Sequence, residues 1–271
     1  EKKKKSRDDT GARGMKTILV DVGKTMRDAV LRVFPKIGVQ HVNSILITHG
    51  HADAMLGLDD VRDLQTVEHV YDAEGNILGY RPVSGPLRVI TNKTTMDRLH
   101  EAFPYLARKT EEVPGHPGVY LRRTAVLQWE TVGDWAELKL DGGIQTKIFP
   151  VYHGGTYVSL AFMFGPPGEF VYISDVKNFP KKSQDMLDGL PQIQVLCIDC
   201  LQIEKHTTHF CYDEAVDYAR KMKAKVTYFV GMSCWVGMHS KVQQMLDEIK
   251  RKEGIDIRLA RDGLTLDPIS F

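Results

Sequence analysis

The stretch Ile47-Thr48-His49-Gly50-His51-Ala52-Asp53 runs an apolar strand directly into the pattern H-x-H-x-D. Residues two apart in an extended segment project to the same side. His49 and His51 can therefore present two imidazole nitrogens to one borderline cation at about 2.0–2.1 Å, with Asp53 aiming an oxygen at a neighbouring position. The pattern Ala54 to Leu64 that follows, with Gly57 inside it, reads as a helix, so the motif stands at a strand-to-helix junction.

Working outward, other strand ends carry the same residue types. His153 follows the run Gln145 to Val151, Asp175 follows Phe170 to Ser174, and Asp21 lies in Thr17 to Val22. Taken singly, His153 would serve equally as a cap for the loop at Gly154-Gly155, and Asp175 as a cap for the next helix. Further β-type runs are Ser44 to Thr48, Leu87 to Ile90, Val158 to Phe164, Val195 to Asp199, Val226 to Val230 and Asp256 to Leu259. Hairpins are predicted for Val67 to Tyr71 with Ile77 to Arg81, and for Glu137 to Leu140 with the run from Gln145 across Asp141-Gly142-Gly143. Helical patterns cover Thr25 to Phe34, Thr94 to Phe103, Pro180 to Leu187, Asp213 to Lys223 and His239 to Lys252. No stretch reads as a linker, so residues 15 to 271 are expected to form one domain of sheets covered by helices. Residues 1 to 14 read as a flexible tail, because the Lys2 to Lys5 run is followed by no apolar stretch of the secretory kind.

The 271 residues are 42% hydrophobic and 26% charged, the composition of a soluble globular protein. Thirty-six basic against thirty-five acidic residues leave a net charge of +1. That provides no global field for gripping nucleic acid, although a local basic patch is compatible with it. No apolar run is long enough to span a bilayer, so no membrane association is expected, and self-association is compatible with the composition. Four cysteines are too sparse for a disulfide scaffold and suit a reducing, cytoplasmic setting. Cys197 and Cys200 lie three apart in one strand-like run and face opposite sides of it, which suits buried thiols and not a zinc knuckle.

The H-x-H-x-D stretch resembles the signature of the metallo-β-lactamase superfamily, and the resemblance extends along nearly the whole chain. Val151-Tyr152-His153-Gly154 is similar to the lone-histidine motif and Tyr172-Ile173-Ser174-Asp175 to the bridging-aspartate motif. Asp21-Val22-Gly23-Lys24, Thr208-His209-Phe210 and Arg261-Asp262-Gly263-Leu264 resemble the PhnP-like cyclic phosphodiesterases, close to the transfer-RNA 3′-processing branch. The resemblance implies an α/β (α+β) fold, a four-layer αββα sandwich with the site on the open edge of two packed sheets. It implies a metal set of His49, His51, His153 and Asp175, with Asp53 as a further ligand or as the holder of the attacking water. His209 would contact phosphate or protonate the leaving group, with Asp53 and His209 as the catalytic pair. Asp21 is a candidate for supporting a ligand from behind, and Cys234 and His239 are candidates for a second metal position.

Three departures carry chemical weight. Ala54 occupies the histidine position that closes H-x-H-x-D-H, Gly231 stands where the PhnP-like enzymes place another second-metal histidine, and no glycine-rich opening strand precedes residue 15. One tightly bound metal, zinc or manganese, is therefore expected, with a second weak or absent. The expected activity is metal-dependent hydrolysis, of the phosphodiesterase type, on a small phosphoester or related substrate. A thioesterase of the glyoxalase II kind and a catalytically retired metal-binding protein are the alternatives.

Overall fold

The structure, a computed structural model, describes residues 16–83, 85–108 and 110–266. The expected tail at 1 to 14 lies outside the described residues. The rest falls into two compact units, one within Glu1–Ile90 and Thr94–Thr131, the other within Thr91–Lys93 and Val132–Phe271.

The first unit starts with β1 (Ile18–Val20), crosses through α1 (Met26–Ile37) and returns in β2 (Ser44–Leu46), parallel to β1. Then come α2 (Ala52–Met55), a 3-10 turn (Leu58–Leu64) and the antiparallel hairpin β3 (Val67–Tyr71) with β4 (Ile77–Pro82). β5 (Leu87–Asn92), α3 (Lys93–Ala102), α4 (Pro104–Ala107) and β6 (Leu127–Val132) follow. The sheet order is β1-β2-β5-β6. Its core gathers Ile45 and Ile47 with Met55, Leu58, Val61 and Leu99, all buried.

The second unit opens with an antiparallel meander of β7 (Ala136–Lys139), β8 (Gln145–Tyr152), β9 (Val158–Phe164) and β10 (Phe170–Ile173). Parallel strands β11 (Val195–Asp199), β12 (Val226–Val230) and β13 (Ile257–Leu259) are then reached through α5 (Lys181–Asp188), α6 (Tyr212–Met222) and α7 (His239–Glu253). The seven-stranded order is β13-β12-β11-β10-β9-β8-β7. β9 is buried along almost its whole length, as a strand covered on both faces must be. In β11, Cys200 joins the cluster of Leu196 and Ile198, whereas Cys197 joins Val195 and Tyr228 in another. The two thiols thus lie on opposite faces, as the sequence spacing requires, and burial pushes both up to about 12.

Three expectations are corrected. α1 continues past Pro35, which forfeits one backbone bond in the last turn, and ends at Gly38 in the left-handed region. β6 was not expected, although Leu127 and Trp129 alternate with Gln128 and Glu130; the Arg88–Glu130 ion pair at 2.8 Å ties it to β5. His100, half-buried, packs edge-on against Trp129 of that strand with ring centroids 4.8 Å apart. The helix expected over Ala54 to Leu64 starts at Ala52 and breaks at Gly57. There the backbone comes against β1's exit: Gly57 donates its N–H to the Val22 carbonyl at 2.7 Å. A Cβ on Gly57 would overlap the Gly23 carbonyl, and one on Gly23 would overlap the carbonyl of Asp53.

That contact makes Gly23 a steric necessity. Gly23→Ala is expected to cost about 3 kcal/mol or more. Gly38→Ala, whose Cβ would meet nothing within 4 Å, should cost only the left-handed strain of about 1–2 kcal/mol. Urea titrations of the two variants check the order, and equal losses would contradict it.

Candidate functional site

In the first unit the site is built on the exit of β2. Asp21 has a left-handed backbone with φ of 63°, which aspartate tolerates better than most residues. Its carboxylate accepts the Thr48 N–H at 2.8 Å and the Thr48 hydroxyl at 2.9 Å. The fully buried Thr48 Oγ1 also lies 2.8 Å from His49 Nδ1. With its proton committed to Asp21, the hydroxyl can only accept from that ring, so His49 carries its proton on Nδ1 and presents the lone pair on Nε2. His51 follows with its ring edge-on to His49 at 4.6 Å between centroids. Extended spacing therefore brings these two together as expected.

Asp53 departs from that pattern. His51 is the N-cap of α2, so Asp53 sits in a helical first turn and not in an extended loop. It is exposed, and among the described residues its carboxylate makes no hydrogen bond. Ala54, two per cent exposed, places a methyl group where the family motif has a ligand.

In the second unit, side chains gather at the carboxyl ends of β8, β10 and β11. His153 is buried, and its Nδ1 lies 2.9 Å from the Thr208 carbonyl, to which it donates. Nε2 is left to face Asp175, 3.9 Å away. Gly154, at φ of 86°, lets the turn approach Thr208, whose Cγ2 lies 2.5 Å from where a Cβ would stand. His209 stacks edge-on to His153 at 4.5 Å and also lies 3.9 Å from Asp175. Ligand atoms of His153, Asp175 and His209 lie within 4.8 Å of one another, a nitrogen and oxygen set suited to zinc or manganese. Lys177 pairs with Glu214 at 2.7 Å while Glu214 caps the Cys211 N–H at 3.0 Å, locking the segment after Asp175 to the helix after His209.

Sequence reasoning missed the residue behind His209. Asp199, one per cent exposed, accepts from His209 Nδ1 at 2.8 Å and from the Val176 N–H at 3.1 Å. Burial lifts its carboxyl to about 6, with His209 pulling the other way. A carboxylate ending an otherwise apolar strand was the available signal, the same one that marked Asp175. Thr48 and Thr208 were also missed. Their role depends on which ring nitrogen they meet, and no motif spells that out. His206 is half-buried, and its Nδ1 accepts from the Thr208 N–H at 3.3 Å.

Gly231 has φ of 74°, and a Cβ there would stand 3.1 Å from Asp199 Oδ1. The position is thus both left-handed and crowded by a carboxylate. Cys234 and His239 are exposed and, among the described residues, belong to no metal-ligating group. Among the described residues no helix is long and apolar enough to cross a membrane.

Residues 16–232 match the family described as the beta-lactamase superfamily domain. Among solved structures, a diphosphatase from the PhnP family is 27% identical, with 92% of this chain and 78% of that one covered and a TM-score of 0.67. Human tRNase Z, short form, is 14% identical, covering 93% and 88%, with a TM-score of 0.59. Zn(2+)-bound PqqB from Methylobacterium extorquens is 14% identical, covering 94% and 85%, with a TM-score of 0.61. A curated octanoyltransferase of Porphyromonas gingivalis is 21% identical over 85% of this chain, and the chain spans 39% of its length. The mixed α/β architecture is that of the metallo-β-lactamase sandwich, as the sequence implied. With a family match that runs through both units, the chain belongs to the beta-lactamase superfamily and resembles its PhnP-family and tRNase Z members.

Proposed function

We propose that the protein is a metal-dependent hydrolase that acts as a phosphodiesterase on a small phosphoester, in a reducing, cytoplasmic setting that suits its four free thiols. The observation that carries this reading is that His49 and His153 each have Nδ1 occupied by a neutral oxygen, which leaves Nε2 as the donor. By the family motif, the ligands proposed for one ion, zinc or manganese, are His49, His51, His153 and Asp175. When bound, that ion supplies Lewis acidity to the attacking water and to the attacked phosphorus.

The remaining steps belong to the chain. Asp53, exposed and without a hydrogen bond among the described residues, holds the attacking water. As the water oxygen bonds to phosphorus its proton passes to the Asp53 carboxylate, and the bond to the leaving oxygen breaks with its electron pair. His209, held by Asp199 through Nδ1, delivers the proton that the leaving oxygen takes up. Ala54 and Gly231 offer no donor to a second ion, so a second ion is held weakly at most. Asp21 supports His49 through Thr48, while Cys234 and His239 stand outside the ligand set.

Acyl chemistry is the second reading, favoured by the likeness to the octanoyltransferase. Cleavage of a glutathione thioester without cleavage of bis-p-nitrophenyl phosphate would establish it in place of the first.

His209→Ala should lower phosphodiester turnover by about 10²–10⁴-fold while bound metal stays constant. Stoichiometric loss of metal would instead make His209 a ligand. Thr48→Val, which keeps the shape and removes the oxygen, should weaken metal binding by about 10–100-fold, and Thr48→Ser should restore it. Competition with a chelating dye measures both, and equal affinity across all three proteins would refute the tautomer assignment.

A further inference from the structure

β7 closes one end of the seven-stranded sheet, and its pairing with β8 decides which backbone groups are left over. The Leu140 N–H donates to the Ile144 carbonyl at 2.9 Å, while the Gln145 carbonyl turns the other way and accepts from the Gly165 N–H at 2.8 Å. Backbone groups alternate sides along a strand, and Leu138 and Lys139 stand opposite Thr146 and Gln145. Ala136 and Leu138 therefore bond to β8, and the N–H and C=O of Glu137 and Lys139 point out of the sheet. Among the described residues no other strand meets them.

Glu137 and Lys139 also share one face of the sheet, and both are exposed. Glu137 pairs through one oxygen with Lys147 of β8 at 2.8 Å, and among the described residues the Lys139 ammonium makes no ion pair. A lysine on an edge keeps most strands away. Here it selects one. When two copies of β7 meet antiparallel with their outward groups matched, the register depends on where the two-fold axis passes. An axis through Glu137 sets glutamate against glutamate, and one through Lys139 sets lysine against lysine. An axis through Leu138 sets each Glu137 opposite the Lys139 of the second copy and brings the two half-buried Leu138 side chains together on the other face. A cavity of about 570 Å³ lined by Glu137, Gly143, Lys147 and Met163 opens on the charged face and gives the arriving lysine stem room.

We infer that β7 is the docking edge for a second copy of this chain, joined antiparallel about Leu138 so that one sheet runs through the dimer. Glu137 and Lys139 of one copy exchange N–H to C=O bonds with Lys139 and Glu137 of the other, and the contact is isologous. A strand of four residues covers much less than the roughly 800 Å² per partner of a standard interface, so the dimer exchanges with monomer at micromolar concentration.

Sedimentation velocity on the full chain is the test, with an expected Kd of about 1–100 µM. Glu137→Lys and Lys139→Glu should each weaken the dimer at least about tenfold, because each sets like charges opposite one another. The two single variants mixed together should form a heterodimer, and the double exchange of Glu137→Lys with Lys139→Glu should dimerise like the parent chain. Hydrogen exchange should show the Glu137 and Lys139 amides gaining protection as concentration rises, with the Leu138 amide protected throughout. Both charged positions are exposed, so near-parental melting temperatures are expected of every variant. A chain that stays monomeric up to about 1 mM overturns the inference. So does a dimer that both single variants leave intact, or that neither the mixture nor the double exchange restores.

Discussion

An imidazole can coordinate through either nitrogen, and this chain removes the choice at three rings, His49, His153 and His209, by seating an oxygen against Nδ1 of each. The oxygens differ in kind. His49 meets a threonine hydroxyl at 2.8 Å and His153 a main-chain carbonyl at 2.9 Å, both neutral acceptors that fix a neutral ring with its lone pair on Nε2. His209 meets the Asp199 carboxylate at 2.8 Å, an acceptor of a different kind that orients the ring through Nδ1. Neutral acceptors suit ligands, which must be unprotonated, and a charged one suits a proton carrier. The division of labour among the three histidines follows from what stands behind them.

Holding those oxygens in place accounts for much of the local architecture. Asp21 adopts a left-handed backbone, and its carboxylate cross-links to both the N–H and the hydroxyl of Thr48. Gly23 and Gly57 let α2 press against the exit of β1 closely enough to set His51 at the start of the helix. Gly154 does the same for the turn beneath Thr208, and the Lys177–Glu214 pair fixes the two segments that carry Asp175 and His209. The crowding of Gly231 by Asp199 adds a reason why that position cannot simply regain a histidine: a new side chain would have to displace the carboxylate that orients His209.

Much of this was legible in the sequence, because strands ending in histidine or aspartate announce themselves by an apolar run that stops at a polar residue. That signal singled out His49, His51, His153 and Asp175 as candidates, and the hairpin across Asp141-Gly142-Gly143 was readable from its glycines. Asp53 was misplaced because period-two reasoning was extended one residue into a helix, where side chains turn by about 100° per residue and no longer alternate. Thr48 and Thr208 were invisible because a threonine beside a histidine is ordinary until the atoms in contact are known. Asp199 carried a readable sign, a charged residue closing a fully buried strand, and its partner lay ten residues away across a loop.

The central claim is one ion held by imidazole nitrogen and carboxylate oxygen, without sulfur and without a second tightly held neighbour. X-ray absorption at the metal edge, combined with elemental analysis of the extensively dialysed full chain, tests it most directly. The account predicts about one equivalent per chain, a shell of nitrogen and oxygen at about 2.0–2.2 Å, and no metal scatterer at about 3.5–4 Å. Two retained equivalents with a metal–metal vector, or a sulfur neighbour at about 2.3 Å, would contradict it and bring Cys234 into the ligand set.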